Sequence, residues 1–289
     1  MSAVRQIGAG SDLGAAVRRT LCLSLALVTA APSFAQSLPS VASINLCADQ
    51  LVLSLAEPEQ ILTVSWLSAD PEESMLAAEA DKFPLNYGSA EELLRYRPDV
   101  VIAGAYTGGF TRALLARLGF TIVEIAPETT IAEIEDNLRL VARAIGQSAR
   151  GEAHVEEIRA RTRRGYANQP PRPIAAVVVR PGGFTVGEGS LAHELMTLAG
   201  LRNVAAEQGL DRWGSLSMET LLRSAPELII VTGYHSRHAS MANAVLQHPA
   251  LARLRSRVRF VTVPAPYWAC GLPQSLDSVA LLQGTATPQ

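Results

Sequence analysis

From Val41 onward, short unbroken apolar runs alternate with longer stretches whose apolar positions recur at helical spacing. That alternation predicts parallel α/β architecture: strands covered on both faces read as continuous apolar runs, and parallel neighbours need helical crossovers between them. Strands are expected at Val41–Ile44, Ile61–Trp66, Asp99–Ala103 and Thr121–Ile125, with helices at Ala48–Ala56, Pro71–Ala80, Ala90–Tyr96 and Thr111–Leu118. Pro58 and Pro98 mark stops because proline cannot continue a helix, and Gly119 suits a left-handed C-terminal cap.

A long helical tract follows. Ile131, Ile134, Leu138, Val141 and Ile145 form one apolar stripe, broken at Gly146. Ala149–Tyr166 continues it with few apolar positions (Ala153, Val155, Ile158) among many charges. A helix this polar buries only a narrow stripe, which suits a strut across the back of two lobes. The proline-rich segment 168–173 ends it. A second α/β set then runs through strands at Ile174–Val179, Leu228–Val231 and Val258–Val263, and helices at Leu191–Ala199, Met218–Ser224, Met241–Gln247 and Gln274–Leu282. Residues 90–102 echo residues 217–230: each is a short helix, a proline, an acidic residue and a buried strand. The fold class expected is therefore α/β, two Rossmann-like lobes with central, mainly parallel sheets joined by one long rigid helix. The boundaries are residues 36–147 for the N-terminal lobe, 148–167 for the connecting helix and 168–289 for the C-terminal lobe. Two such lobes create a cleft where the carboxyl ends of parallel strands meet, the usual place for a ligand.

The first 35 residues differ from the rest. Arg18 and Arg19 precede the apolar run 21–28, and Ser33-Phe34-Ala35 is a small-x-small cleavage site, so residues 1–35 read as a cleaved secretory signal peptide. The run is too short to span a bilayer. The whole chain of 289 residues carries a net charge of −2. Removing three arginines and one aspartate from its 25 basic and 27 acidic groups leaves −4 on the mature chain. No basic face is in view, which excludes a nucleic-acid partner. The mature chain keeps Cys47 and Cys270, candidates for a disulfide in an oxidising periplasm; free thiols and ligand contact are the alternatives.

Several motifs, in order along the mature chain, carry a resemblance. They are Val41-Ala-Ser-Ile-Asn-Leu46, the Glu-x-Leu-x-x-x-x-Pro-Asp-Val-Val-Ile block ending at Ile102, Leu118-Gly-Phe-Thr-Ile-Val123, Phe184-Thr-Val-Gly187, Trp213, the Glu219–Thr232 block and Tyr267-Trp268. With these the chain resembles the periplasmic solute-binding proteins of cobalamin and ferric-siderophore ABC importers, the class with a single helix between lobes. The resemblance implies reversible capture of a small-molecule ligand without catalysis or a resident cofactor, and delivery by a monomer to an inner-membrane permease of two subunits. Cobalamin or another corrinoid, and a ferric siderophore or heme-like chelate, both remain open as the ligand. By motif position Glu91 and Glu219 correspond to the glutamates with which the family docks its permease. A carboxylate on each lobe can pair with arginines on each subunit. The plain alternative is a solvated glutamate favoured by a helix N-terminus.

Candidate ligand contacts sit in strand-end loops. Aromatics make up only 5% of the chain, yet Trp66, Tyr87, Tyr106, Trp213, Tyr234, Tyr267 and Trp268 fall at or near such ends. Aromatics offer rigid apolar area to a flat ring, against the alternative of core packing. Arg180 directly follows a strand and can bond an anionic ligand group by charge-assisted hydrogen bonds. A bare manganese or zinc ion is a rival cargo, but four of the five histidines (His193, His235, His238, His248) lie in the second half and His154 lies in the strut. No histidine stands in the first lobe's loops to complete a site, and no metal site is expected. The motifs of hydrolases, nucleotide-binding loops and zinc proteases are absent from the sequence, so a periplasmic enzyme is the remote alternative.

Overall fold

Strand β1 (Val41–Ser43) sits at the centre of the first sheet, and every other strand in that sheet runs parallel to it or to its neighbours. The computed structural model describes residues 37–233, 248–254 and 257–286. From β1 the chain runs through α1 (Leu46–Leu55), β2 (Ile61–Ser65), α2 (Ala77–Ala80), β3 (Leu85–Asn86), α3 (Ala90–Tyr96), β4 (Val100–Gly104), α4 (Gly109–Arg117) and β5 (Thr121–Ile125). The strand order is β3-β2-β1-β4-β5. Succession therefore reverses at β1, with β2 on one side and β4 on the other, and a crevice opens at the carboxyl ends there.

Helices α5 (Ile131–Ala144) and α6 (Ser148–Ala167) lead to the second lobe. This lobe contains β6 (Ile174–Val179), β7 (Phe184–Val186), α7 (Leu191–Leu198), β8 (Leu201–Asn203), α8 (Val204–Glu207), β9 (Trp213–Ser215), α9 (Met218–Arg223), β10 (Leu228–Val231), α10 (Pro249–Leu254), β11 (Arg259–Thr262), α11 (Pro266–Ala269) and α12 (Asp277–Ala286). Its parallel sheet has the order β11-β10-β6-β8, and β7 and β9 pair antiparallel beside it. All six residues of β6 are buried, as its unbroken apolar run requires.

The strut α6 is held by both of its chemistries. Val155 and Ile158 are buried in a core that includes residues of both lobes. Arg150 donates to the carbonyls of Leu55 and Ala56 at 2.8 and 2.9 Å, tying the helix to the end of α1. At its other end Arg161 pairs with Asp277 at the start of α12, and Gly165 packs against Leu198 of α7.

One expected helix is different. Residues 71–73 and 75–76 are turns, and only Ala77–Ala80 are helical within the expected Pro71–Ala80. Side chains compete for the backbone here: the Asp70 carboxylate accepts from the Glu72 N–H at 2.9 Å, and the Ser74 hydroxyl accepts from the Leu76 N–H at 3.1 Å. The expected helix Met241–Gln247, the residues Tyr234, His235 and His238, and the leader 1–35 lie outside the described residues.

Candidate functional site

Loops at the carboxyl ends of strands from both lobes converge on a cleft of about 360 Å³. The first lobe supplies Gly104–Tyr106 after β4, Ile125–Thr129 after β5, and Cys47 from the first turn of α1. The second supplies Arg180 after β6, Gly189–Ala192 after β7, Arg212 and Trp213 at β9, Thr232 after β10, and Ala265, Trp268 and Ala269 after β11. The volume falls within the range of small-molecule pockets.

Tyr106 is 76% exposed and Trp213 67% exposed, so neither ring is spent on core packing. Trp268 is half-buried and fixed, its indole N–H donating to the Ser278 hydroxyl at 3.0 Å. Trp213 reaches the cleft because residues 187–189 run close to 210–212: Gly187 donates to the Arg212 carbonyl at 3.1 Å, and Gly189 to the Asp211 carbonyl at 3.0 Å. A Cβ at residue 187 would stand 2.1 Å from the Leu210 and Asp211 carbonyl oxygens, so only glycine permits this approach.

The floor is stitched. Cys47 and Cys270 form a disulfide with Cα atoms 5.1 Å apart. Next to it Gly271 lies flat on α5, where a Cβ would meet Ile134 Cγ1 at 2.3 Å. Burial raises the Glu128 pKa from its ordinary value, opposed by hydrogen bonds from Asn137 and the Gly271 backbone that favour its charged form.

The structure thus brings Tyr106, Arg180, Trp213, Trp268 and Cys47 together in one cleft. Trp66 and Tyr87 form a separate pair outside that lining, rings 6.2 Å apart, at the ends of β2 and β3. Tyr267 packs on the core instead. Glu91 and Glu219 are exposed on the first turns of α3 and α9, each two residues after a serine cap, Ser89 and Ser217. Arg212, Glu128, Glu73 and Thr232 also line the cleft and were not singled out in sequence, although Arg212 abuts Trp213 and Thr232 follows a strand. Among the described residues, no group of three or more His, Cys, Asp and Glu side chains could hold a metal ion, and no helix is long and apolar enough to cross a membrane.

Residues 41–256 match the family described as periplasmic binding protein. The chain belongs to that family. The vitamin B12-binding protein of Salmonella typhimurium is 28% identical to this binding protein over 149 residues, covering 50% of this chain and 54% of the relative. That of Photorhabdus laumondii is 24% identical over 166 residues, covering 56% and 58%. The chain thus spans about half the length of the curated relatives it matches. Solved structures extend the likeness. The periplasmic heme-binding protein RhuT from Roseiflexus sp. RS-1 superposes with a TM-score of 0.72 at 20% identity, covering 87% of this chain and all of that one. The vitamin B12-binding protein BtuF of Vibrio cholerae gives 0.64 at 20% identity, covering 86% and 96%. At such identities these structures establish the two-lobed fold of this binding protein.

Proposed function

We propose that this chain is the substrate-binding component of an ABC importer, capturing a bulky ring ligand, cobalamin or another corrinoid, in the periplasm. It acts as a monomer, binds reversibly without a cofactor or a reaction of its own, and delivers its cargo to a permease of two subunits. One observation carries the reading: exposed Tyr106 from the first lobe and Trp213 with Trp268 from the second face a single cleft. Rigid aromatic faces on both walls suit a flat macrocycle. The relatives named for vitamin B12 point the same way. Glu91 and Glu219, capped alike and exposed, are the docking carboxylates in this reading. Cleavage after Ala35 releases the mature protein.

A ferric chelate, heme or a siderophore, is the second reading. The Tyr106 phenol and the Arg180 guanidinium in the lining favour it, since a phenol oxygen can ligate iron and a guanidinium can hold a carboxylate. Tryptophan-fluorescence titration of the mature protein with cyanocobalamin, hemin and a small set of ferric siderophores tests both. Saturable quenching by cyanocobalamin is expected under the first reading. Binding by ferric chelates alone selects the second, and no saturable binding by any of them overturns both.

A further inference from the structure

The two sulfurs of the disulfide beneath the cleft stand in unlike surroundings. Cys47, in the first turn of α1, is half-buried and lines the cleft. Its Sγ lies 3.5 Å from the carbonyl of Ala269, which also lines the cleft, and this contact is open to solvent. Cys270 is only 2% exposed. Its carbonyl accepts from the Ser275 hydroxyl at 2.9 Å, and the next residue, Gly271, is pressed against Ile134 of α5. The bond thus presents one sulfur to the cleft and keeps the other in the protein interior.

Thiol–disulfide exchange requires a thiolate to reach the sulfur that it attacks. A cleft of about 360 Å³ admits a small molecule, whereas a folded protein dithiol does not fit a space of that size. Leaving-group chemistry alone favours attack on Cys270. Cys47 would then leave as a thiolate at a helix N-terminus, where the backbone N–H groups and the dipole stabilise an anion. Access overrides that preference, because burial closes Cys270 to an incoming charge.

We propose that Cys47 is a modification site for low-molecular-weight thiols, entered through the cleft and closed by bound ligand. A thiolate attacks Cys47 Sγ, and a new S–S bond forms as the Cys47–Cys270 bond breaks. Cys270 leaves as a thiolate and takes up a proton. The incoming thiol is oxidised and Cys270 is reduced, so no further oxidant or reductant enters the step. The adduct stands on the cleft floor and takes space from the ligand, so that modification and capture exclude one another. The site itself stands on the geometry of the disulfide; its closure by ligand rests on the reading of the cleft as a ring-ligand site.

Cysteine is the probe. The unliganded mature protein is mixed with cysteine, sampled early, capped with iodoacetamide and mapped as peptides by mass. The expected product carries cysteine on Cys47 and the cap on Cys270, formed at a rate proportional to cysteine concentration. Cysteine on Cys270, or reaction only at temperatures where the protein unfolds, overturns the site. Cys270→Ser and Cys47→Ser, each shown to be folded by thermal melting, give an independent reading. The thiol left at Cys47 should react with iodoacetamide about tenfold faster than the thiol left at Cys270. Equal rates count against the site. Saturating cyanocobalamin should slow cysteine addition about tenfold or more, and the cysteinylated protein should lose saturable quenching. Unslowed addition while cyanocobalamin quenches the tryptophans overturns the closure. If cyanocobalamin does not quench at all, the corrinoid reading falls, and the peptide map still decides the site.

Discussion

Cys47 and Cys270, 223 residues apart in sequence, are bonded beneath the cleft, joining the first turn of the first lobe's α1 to the segment after α11. Gly271 lies on α5 just beyond the bond, so the second lobe reaches the first here as well as through α6. A cross-link closing so long a loop restricts the unfolded chain strongly, a stabilisation of about 5 kcal/mol in the chain-entropy account. Cys47→Ser with Cys270→Ser should therefore lower the urea midpoint without changing the fold by circular dichroism. Alkylation of the unreduced mature protein under denaturing conditions should label no cysteine, and both after reduction. Two labelled cysteines before reduction would refute the bond.

The aromatic residues divide by which strand ends they occupy. Trp213 lies in the cleft, 67% exposed, while Trp66 pairs with Tyr87 outside the lining. Trp213→Ala should weaken ligand binding about tenfold or more, as expected for loss of a large aromatic contact. Trp66→Ala should leave affinity within about twofold, because it removes no surface from the cleft. Isothermal titration of both variants checks this, and the reverse ranking would place the ligand over the β2 and β3 ends.

That division shows where sequence reasoning reached its limit. Strand-end positions were legible from local pattern, and Tyr106, Arg180, Trp213 and Trp268 do line the cleft. Which strand ends border a cleft depends on sheet order, a non-local property. Trp66 and Tyr87 pair with each other at the ends of β2 and β3 and are not among the residues that line the cleft, although Glu73, from the connection between those two strands, is. The apolar runs of β4, β6 and β10 were plain because burial on both faces leaves no polar interruption. β7 and β9 were not: they are three residues each, carry the exposed Phe184 and Trp213, and owe their pairing to a close backbone approach at Gly187. The turns at 71–73 and 75–76 were hidden by a helical pattern that Asp70 and Ser74 override.

Glu91 and Glu219 test the importer reading apart from ligand capture. Neither lines the cleft, and the Glu219 side chain is 84% exposed, with the Arg223 guanidinium 3.7 Å away. Surface pairs of this kind contribute little to stability. Glu91→Ala with Glu219→Ala should keep the melting temperature and ligand affinity while abolishing uptake in cells that depend on this protein. Unchanged uptake would remove both glutamates from docking, and lost affinity would place them at the ligand.

The most buried carboxyl in the first lobe predicts a pH dependence opposite to the usual acid unfolding. Asp49 is fully buried on α1, accepting from the Ser43 hydroxyl at 2.5 Å, the Ser65 N–H at 2.9 Å and the Ser65 hydroxyl. Burial dominates over these bonds and raises its pKa from 3.8 to about 7. Below pH 3.8 the group is protonated in both folded and unfolded chains and contributes no difference. Between 3.8 and about 7 the unfolded chain releases the proton while the folded chain keeps it, so the folded state binds more protons and stability falls as pH rises. Above about 7 the loss is complete and constant, on the order of 2–4 kcal/mol. Asp49→Asn keeps a carbonyl for Ser43 and Ser65 and cannot ionise, so its stability should not share that fall. Urea unfolding of both proteins at several pH values across this window reads the difference in slope, whatever the offset of the variant. Parallel curves would mean that Asp49 is ionised in the folded protein and that its three hydrogen bonds outweigh its burial.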